Sequence, residues 1–206
     1  MSETFREYRD CDYSECEELV NQAWGFDQIF SSQELSKFAK HIYTKGSCVS
    51  SNYRMVVEDN GRVAGFIFGL NTKSSKPGRN IIFGLGILWK LMRLKGDKSE
   101  KRKLIDAINH HQKNRYEVVD KGRSEIVLFV VSKEYQGKGV GKRLWSYFKK
   151  SCIDSGVDSV IVETNKLGAS SFYERIGFVH LSNFDSPLHE LATEGGQACM
   201  YEYKCK

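Results

Sequence analysis

Val130-Val131-Ser132-Lys133-Glu134-Tyr135-Gln136-Gly137-Lys138-Gly139-Val140-Gly141-Lys142-Arg143-Leu144 is the stretch that decides how this chain folds. It begins in the branched apolar run Ile126 to Val131, the composition of a central strand buried on both faces. It ends in a helix expected over Val140 to Ser155, with Leu144, Tyr147, Phe148 and Cys152 on one face. Three glycines sit at the junction, where they let the backbone turn tightly and leave its amides unobstructed. The first amides of a helix have no internal partner and lie at the positive end of its dipole, so the junction suits a phosphate or pyrophosphate. Lys138 and Lys142 add positive charge. A nucleotide P-loop is excluded, because Gln136 stands where its first glycine belongs and Arg143 where Ser or Thr is needed. The dinucleotide fingerprint G-x-G-x-x-G also fails on spacing. A plain glycine turn without a ligand remains the alternative.

Outward from this segment, Ser159 to Glu163 reads as a strand, Ala169 to Ile176 as a short helix, Phe178 to Leu181 as a strand and Ala198 to Tyr203 as a closing strand. On the other side, Phe5 to Arg9 alternates weakly as a first strand. Asp12 is placed to cap a helix through Trp24, and Ser31 or Ser32 a second helix that Gly46 would end. Tyr53 to Glu58 and Arg62 to Leu70 form a hairpin about Asn60-Gly61, residues that tolerate the positive φ of a tight turn. A hairpin followed by strand–helix–strand–helix–strand predicts a mixed α/β sheet.

Between the halves lies Thr72 to Gly122, with 14 Lys or Arg against 5 Asp or Glu from Asn71 to Arg123. That excess of +9 leaves −4 for the remainder of a chain of net charge +5. It opens with the loop signal Ser74-Ser75-Lys76-Pro77-Gly78 and continues through Phe83 to Lys95, apolar with interspersed bases. Asp97-Lys98-Ser99-Glu100 then starts a helix running through Leu104, Ile105, Ile108 and His111. A structureless connection of about fifty residues is improbable in a compact domain, so the stretch is expected to be an inserted helical element. Its basic face is open to three readings: a solvated surface, an attraction to RNA or another anion, or contact with a membrane or second subunit.

With 206 residues, 40% hydrophobic and 28% charged, the chain can bury a core as one domain, and neither disorder nor a repeat array is indicated. Met1 to Asp10 has no apolar core of a secretory signal, and the longest apolar run, Ile81 to Trp89, is about half a membrane span. The six cysteines form no C-x-x-C pair, so reduced thiols, no metal and a cytoplasmic location are expected.

The segment Val130 to Leu144 resembles the pyrophosphate loop Gln/Arg-x-x-Gly-x-Gly/Ala of the GNAT family of N-acetyltransferases, with Gln136, Gly139 and Gly141 on the pattern. Ala169-Ser170-Ser171-Phe172-Tyr173-Glu174-Arg175-Ile176-Gly177-Phe178 is similar to the family's second signature, Ala-x-x-Phe-Tyr-x-x-x-Gly-Phe. The resemblance covers Glu125 to Leu181; the first half agrees in its order of elements. It implies an acyl-CoA N-acyltransferase fold: a central, mostly antiparallel sheet with two splayed strands, helices on both faces, and here one domain over 1–206 with a helical insertion at 72–122.

The resemblance further implies acetyl-CoA as co-substrate, with its arm along the backbone of Val130 and Val131 and its pyrophosphate over Gln136, Gly137, Lys138, Gly139, Val140, Gly141 and Lys142. Asn165 and Ser171 complete the implied donor site, although the interval from Asn165 to Ala169 is one residue longer than the commonest version. Tyr173 matches the acid that protonates the departing thiolate, and Glu125 a carboxylate that often serves as base, a task that Glu163 or water could share. The histidines His110, His111, His180 and His189 are candidates in principle only. The acceptor would be a small-molecule or peptide amine, bounded by Glu15 to Tyr43 and the insertion, where Trp24, Phe26, Phe30, Tyr43 and Trp89 are core or wall. A homodimer is compatible with the sequence. The rival reading is a non-catalytic CoA- or RNA-binding module that retains the fold.

Overall fold

The computed structural model describes residues 3–74, 87, 93, 98–192 and 197–205. Strands β1 (Thr4–Glu7), β2 (Tyr53–Asp59), β3 (Arg62–Leu70), β4 (Ser124–Val131), β5 (Ser159–Asn165), β6 (Val179–Phe184) and β7 (Ala198–Lys204) join in one sheet of order β1-β2-β3-β4-β5-β7-β6. Every pairing is antiparallel except β4 with β5. Asn60 (φ 50°) and Gly61 (φ 77°) turn the β2–β3 hairpin in the left-handed conformation the sequence predicted.

One face of the sheet carries α1 (Tyr13–Trp24), α2 (Phe26–Ile29) and α3 (Gln33–Ser50), packed through Val20, Leu35, Phe38 and Cys48 onto Val56, Phe66, Phe68 and Val130. Toward β5 to β7 the same face is covered by α4 (Lys98–Val118) and α7 (Pro187–Ala192). The opposite face carries α5 (Val140–Asp154) and α6 (Ser170–Arg175), packed through Val140, Leu144, Phe148 and Tyr173 onto Ile67, Ile126 and Val162. Helices therefore lie on both faces, and the fold is the mixed α/β architecture that the sequence pattern implied.

Several local expectations are corrected. Asp12 does not cap α1 with its side chain. Its carboxylate instead accepts two 2.8 Å bonds from the Arg6 guanidinium and one of 2.7 Å from the Arg9 amide. Ser32 does cap α3, accepting the Leu35 amide at 3.4 Å, but the helix runs past Gly46 to Ser50. A mid-helix glycine costs about 1 kcal/mol relative to alanine, and burial of Cys48 beyond it, with Leu35, Phe38 and Ala39 before it, outweighs that. Tyr147 is half-exposed against Phe5, and Trp145 takes the inward place on α5. Strand β4 is not buried throughout; its residues alternate between buried and half-buried. Its register against β3 slips between Phe68↔Leu128 and Gly69↔Ile126, a bulge at Val127. The bulge sends Ile126 to the α5 side and Leu128 and Val130 to the α3 side.

Within the expected insertion, α4 forms with Leu104, Ala107 and His111 buried. Its supposed cap Asp97, the loop from Ser75 to Gly78 and Trp89 lie outside the described residues, as does Phe83 to Lys95 apart from residues 87 and 93. The excursion leaves and rejoins the sheet at one point, where the Thr72 amide donates to Ser124 Oγ at 3.1 Å. Helix α7 was not anticipated at all. Among the described residues no helix is long and apolar enough to cross a membrane.

Candidate active site

Strands β4 and β5 are hydrogen-bonded as neighbours only through Ser124↔Val160, Glu125↔Ile161 and Ile126↔Val162. Beyond those pairs Leu128 to Val131 and Glu163 to Asn165 diverge, and a fork opens at the carboxyl ends of two parallel strands, a place where α/β sheets commonly bind ligands. Val130 is buried and Val131 half-buried along one prong, held against β3 by Phe66 and Gly65. Gly65 permits this approach: a Cβ there would stand 2.9 Å from the Val130 carbonyl oxygen.

At the tip of β4 the Gln136 side chain donates to the Val131 carbonyl at 3.0 Å, folding the loop back on its strand. Gln136 is thus engaged in shaping the loop. Gly137 (φ 76°) and Gly139 (φ 85°) adopt the left-handed conformation, and a Cβ at either would meet nothing within 4 Å. Bare backbone thus faces open space at the N-terminus of α5, where the amides of Val140, Gly141 and Lys142 have no intrahelical partner. This fits a diphosphate. Lys138 and Lys142 are exposed beside it, the Lys138 ammonium 5.2 Å from the Tyr135 ring centroid. Gly141 has a second duty: a Cβ there would lie 3.3 Å from the ring of Phe172 on α6.

Helix α6 also carries Tyr173, buried between Phe172 and Phe178 with ring centroids 5.3 and 5.4 Å away. Burial, reinforced by Tyr43, pushes its hydroxyl well above the ordinary tyrosine value, so it stays protonated. Ser171 is exposed on the first turn of α6. Asn165 turns its side-chain oxygen to the Leu167 amide at 2.7 Å, closing the turn after β5. Its carboxamide oxygen is occupied by the chain itself.

On the α3 and α4 face of the fork the two carboxylates Glu125 and Glu163 meet. Arg115 of α4 joins them, Nη2 lying 2.5 Å from Glu125 and Nε 3.0 Å from Glu163. His189 of α7 adds a 2.8 Å contact to the other oxygen of Glu163. His111 of α4 lies 3.7 Å from that oxygen and is bonded to Ser186 through Nδ1 at 2.9 Å. Burial raises Glu125 above the ordinary carboxylate value, with Arg115 opposing the shift and Glu163 adding to it. Burial acts on Glu163 too, but His189, His111 and Arg115 outweigh it and hold that group below its ordinary value. Burial keeps His111 below the ordinary imidazole value. Tyr43 of α3 is raised chiefly by burial and then by Glu163. It stacks edgewise on Trp24 at 5.4 Å.

Of the side chains singled out from sequence, Glu125 and Glu163 share one cation, whereas His110 is exposed and His180 bonds Asn183 on the edge strand β6. Arg115 was missed, as was the electrostatic part of Tyr43. A signal existed: Leu104, Ile108, His111 and Arg115 continue one helical stripe, so a cation sits where the pattern asks for an apolar residue.

Residues 101–185 match the family model described as the acetyltransferase (GNAT) domain. No curated protein matches the chain in sequence. Among solved structures, arylalkylamine N-acetyltransferase 2 of Aedes aegypti is similar at 14% identity and a TM-score of 0.60 over all of both chains. The yncA protein of Salmonella typhimurium, solved with its cofactor acetyl-CoA, is 14% identical with a TM-score of 0.56 over 100% of this chain and 95% of its own. An aminoglycoside 6'-N-acetyltransferase complexed with coenzyme A is 9% identical with a TM-score of 0.57 over 98% of this chain and 97% of its own. At these identities the structural likeness is one of fold. The family match runs from within the inserted helix through the fork, the glycine loop and the Tyr173 helix, so this part of the chain is similar to the acetyltransferase domain of the GNAT family.

Proposed function

We propose that the protein is an acetyl-CoA-dependent N-acetyltransferase that moves an acetyl group to a primary amine by direct attack within a ternary complex. The observation that carries this reading is the fork itself: β4 and β5 part after three residue pairs, with bare glycine backbone at its tip and a protonated tyrosine beside it. When bound, acetyl-CoA supplies the activated thioester. The amides from Gly137 to Lys142 hold its diphosphate, with Lys138 and Lys142 adding charge. The backbone of Val130 and Val131 would border its arm. The Val130 amide is turned to Phe66 of β3, in register with the Ser132 to Ala64 bond, so the β4 amide on the fork side that would face the reacting carbonyl oxygen is that of Val131. Ser171, exposed on the first turn of α6, would be a further contact for the co-substrate, and Asn165 would act by shaping the turn after β5.

Tyr173 holds its proton at neutral pH and delivers it to the departing sulfur. Glu125, raised by burial above the ordinary carboxylate value, takes the proton that an ammonium must lose before it attacks, directly or through water. Holding amine and thioester side by side removes the entropy cost of their encounter, and no covalent bond to the protein is formed.

The test has two arms. Calorimetric titration with coenzyme A should show one site per chain, and thiol release from acetyl-CoA with mixed amines should fall at least about a hundredfold in Tyr173→Phe. Absence of coenzyme A binding sinks the donor site. Binding without turnover of any amine or peptide, together with retention of RNA, would establish the non-catalytic module instead.

A further inference from the structure

The cluster on the α4 face of the fork has a feature that general base chemistry does not require. Arg115 comes from the inserted helix, and its side chain is nearly buried, 13% exposed between two carboxylates that are themselves 21% and 15% exposed. Two of its three guanidinium nitrogens are engaged, Nη2 by Glu125 and Nε by Glu163. Histidines from two helices approach the second carboxylate, His189 at 2.8 Å and His111 at 3.7 Å. The groups facing Glu125 and Glu163 are thus Arg115 and His111 from α4, His189 from α7 and Tyr43 from α3.

We propose that Arg115 is a positioning residue for the acceptor amine: engaged by Glu125 and Glu163, it fixes both carboxylates where the strands part, so that no arginine or lysine of the described cluster is left over for an anionic acceptor group. The subsite therefore accepts an ammonium and disfavours an amine with a carboxylate on the neighbouring carbon, since the only cation of the described cluster that is charged at every pH of interest is already bound twice. An α-amino acid would bring a third carboxylate to it, and like charges brought together there repel. The acceptor class that remains is a lone ammonium: an alkylamine or arylalkylamine, an amino-acid amide, a lysine side chain or a peptide N-terminus.

This inference rests on the acetyltransferase reading, and the experiment separates the two. Phenethylamine, phenylalanine amide and phenylalanine are compared as acceptors, with the leucine series and a peptide with a free N-terminus alongside. The amine, amide or peptide members should exceed the free acids in kcat/KM by at least about thirtyfold. Arg115→Met should raise the KM for the amine and move the acid limb of kcat/KM to higher pH, because the charge that holds Glu125 down is gone. Coenzyme A affinity, measured by calorimetry, should be unchanged in that variant. Arg115→Lys should restore the limb but only part of the KM, since an ammonium cannot span both carboxylates as the planar fork does. Free acids used as well as their amides overturn the inference, and so does an Arg115→Met acid limb that stays in place. Failure of the unaltered protein to bind coenzyme A would remove the acetyltransferase reading and the inference with it.

Discussion

Phe172 lays the edge of its ring 3.3 Å from the point where a side chain on Gly141 would begin. The contact ties the first turn of the helix after the glycine loop to the short helix bearing Tyr173, and Phe129 of β4 completes it with its ring centroid 5.7 Å from that of Phe172. The donor-binding loop and the proposed acid are therefore keyed to each other through one missing side chain.

Gly141→Ala should leave stability within about 1 kcal/mol of the original, because alanine's better helix propensity offsets the crowding of Phe172. Activity should fall about tenfold or more, since displacement of a catalytic group by a fraction of an ångström is costly. Urea unfolding and kcat measured together test this, and Phe172→Leu in the same background should recover part of the rate.

Tyr173→Phe should lower kcat about a hundredfold without a comparable loss of stability. Burial raises the hydroxyl above its ordinary value of about 10, so Tyr173 should contribute no alkaline fall in kcat up to about pH 9. A fall in that range that disappears in the phenylalanine variant would contradict the assignment.

Asp12→Asn should cost about 1 to 2 kcal/mol, because the partly buried Arg6 guanidinium loses its two-oxygen partner but keeps Glu58 at 2.6 Å. The hydrogen bonds from Arg6 hold Asp12 below the ordinary carboxylate value despite burial. A depressed carboxylate stabilises the fold above its unfolded value of about 3.9, and that contribution is lost as pH falls below it. Acid titrations of stability should accordingly be flatter in the variant than in the unaltered protein.

Gly69→Ala places a methyl 2.5 Å from ring atoms of Phe148, a fully buried side chain of α5. A loss of about 2 kcal/mol or more is expected from overpacking. Combining it with Phe148→Leu should give less than the sum of the two single losses, a coupling that a double-mutant cycle reads directly.

What could be read from the residues alone follows the range over which their preferences act. Asn60-Gly61 and the glycines before Val140 specify their own backbone, and Ser32 needs only the amide three residues on, so these were legible. Asp12 misled because a competing partner, Arg6, reaches it across the start of the chain. The bulge at Val127 depends on how two strands register, which no single strand records. Arg115 was visible as a charge but not as a destination: its meaning requires that a helix some ten residues upstream of β4 turn its inner face onto the carboxylates of two different strands. Helix α7, with only six residues, gave too short a pattern to recognise, although Ser186 caps it by accepting the His189 amide at 3.1 Å and Pro187 opens it.

The sheet consists of two antiparallel halves, β1 to β4 and β5 to β7, stitched by a seam of three residue pairs between Ser124–Ile126 and Val160–Val162. So short a seam can breathe without either half losing its own ladders. Amide deuteration should therefore be faster along that seam than in the interior of the β2–β3 or β5–β7 ladders, and a guest lodged across the gap should slow it. The cooperative unit of unfolding then becomes the whole sheet only when the gap is bridged.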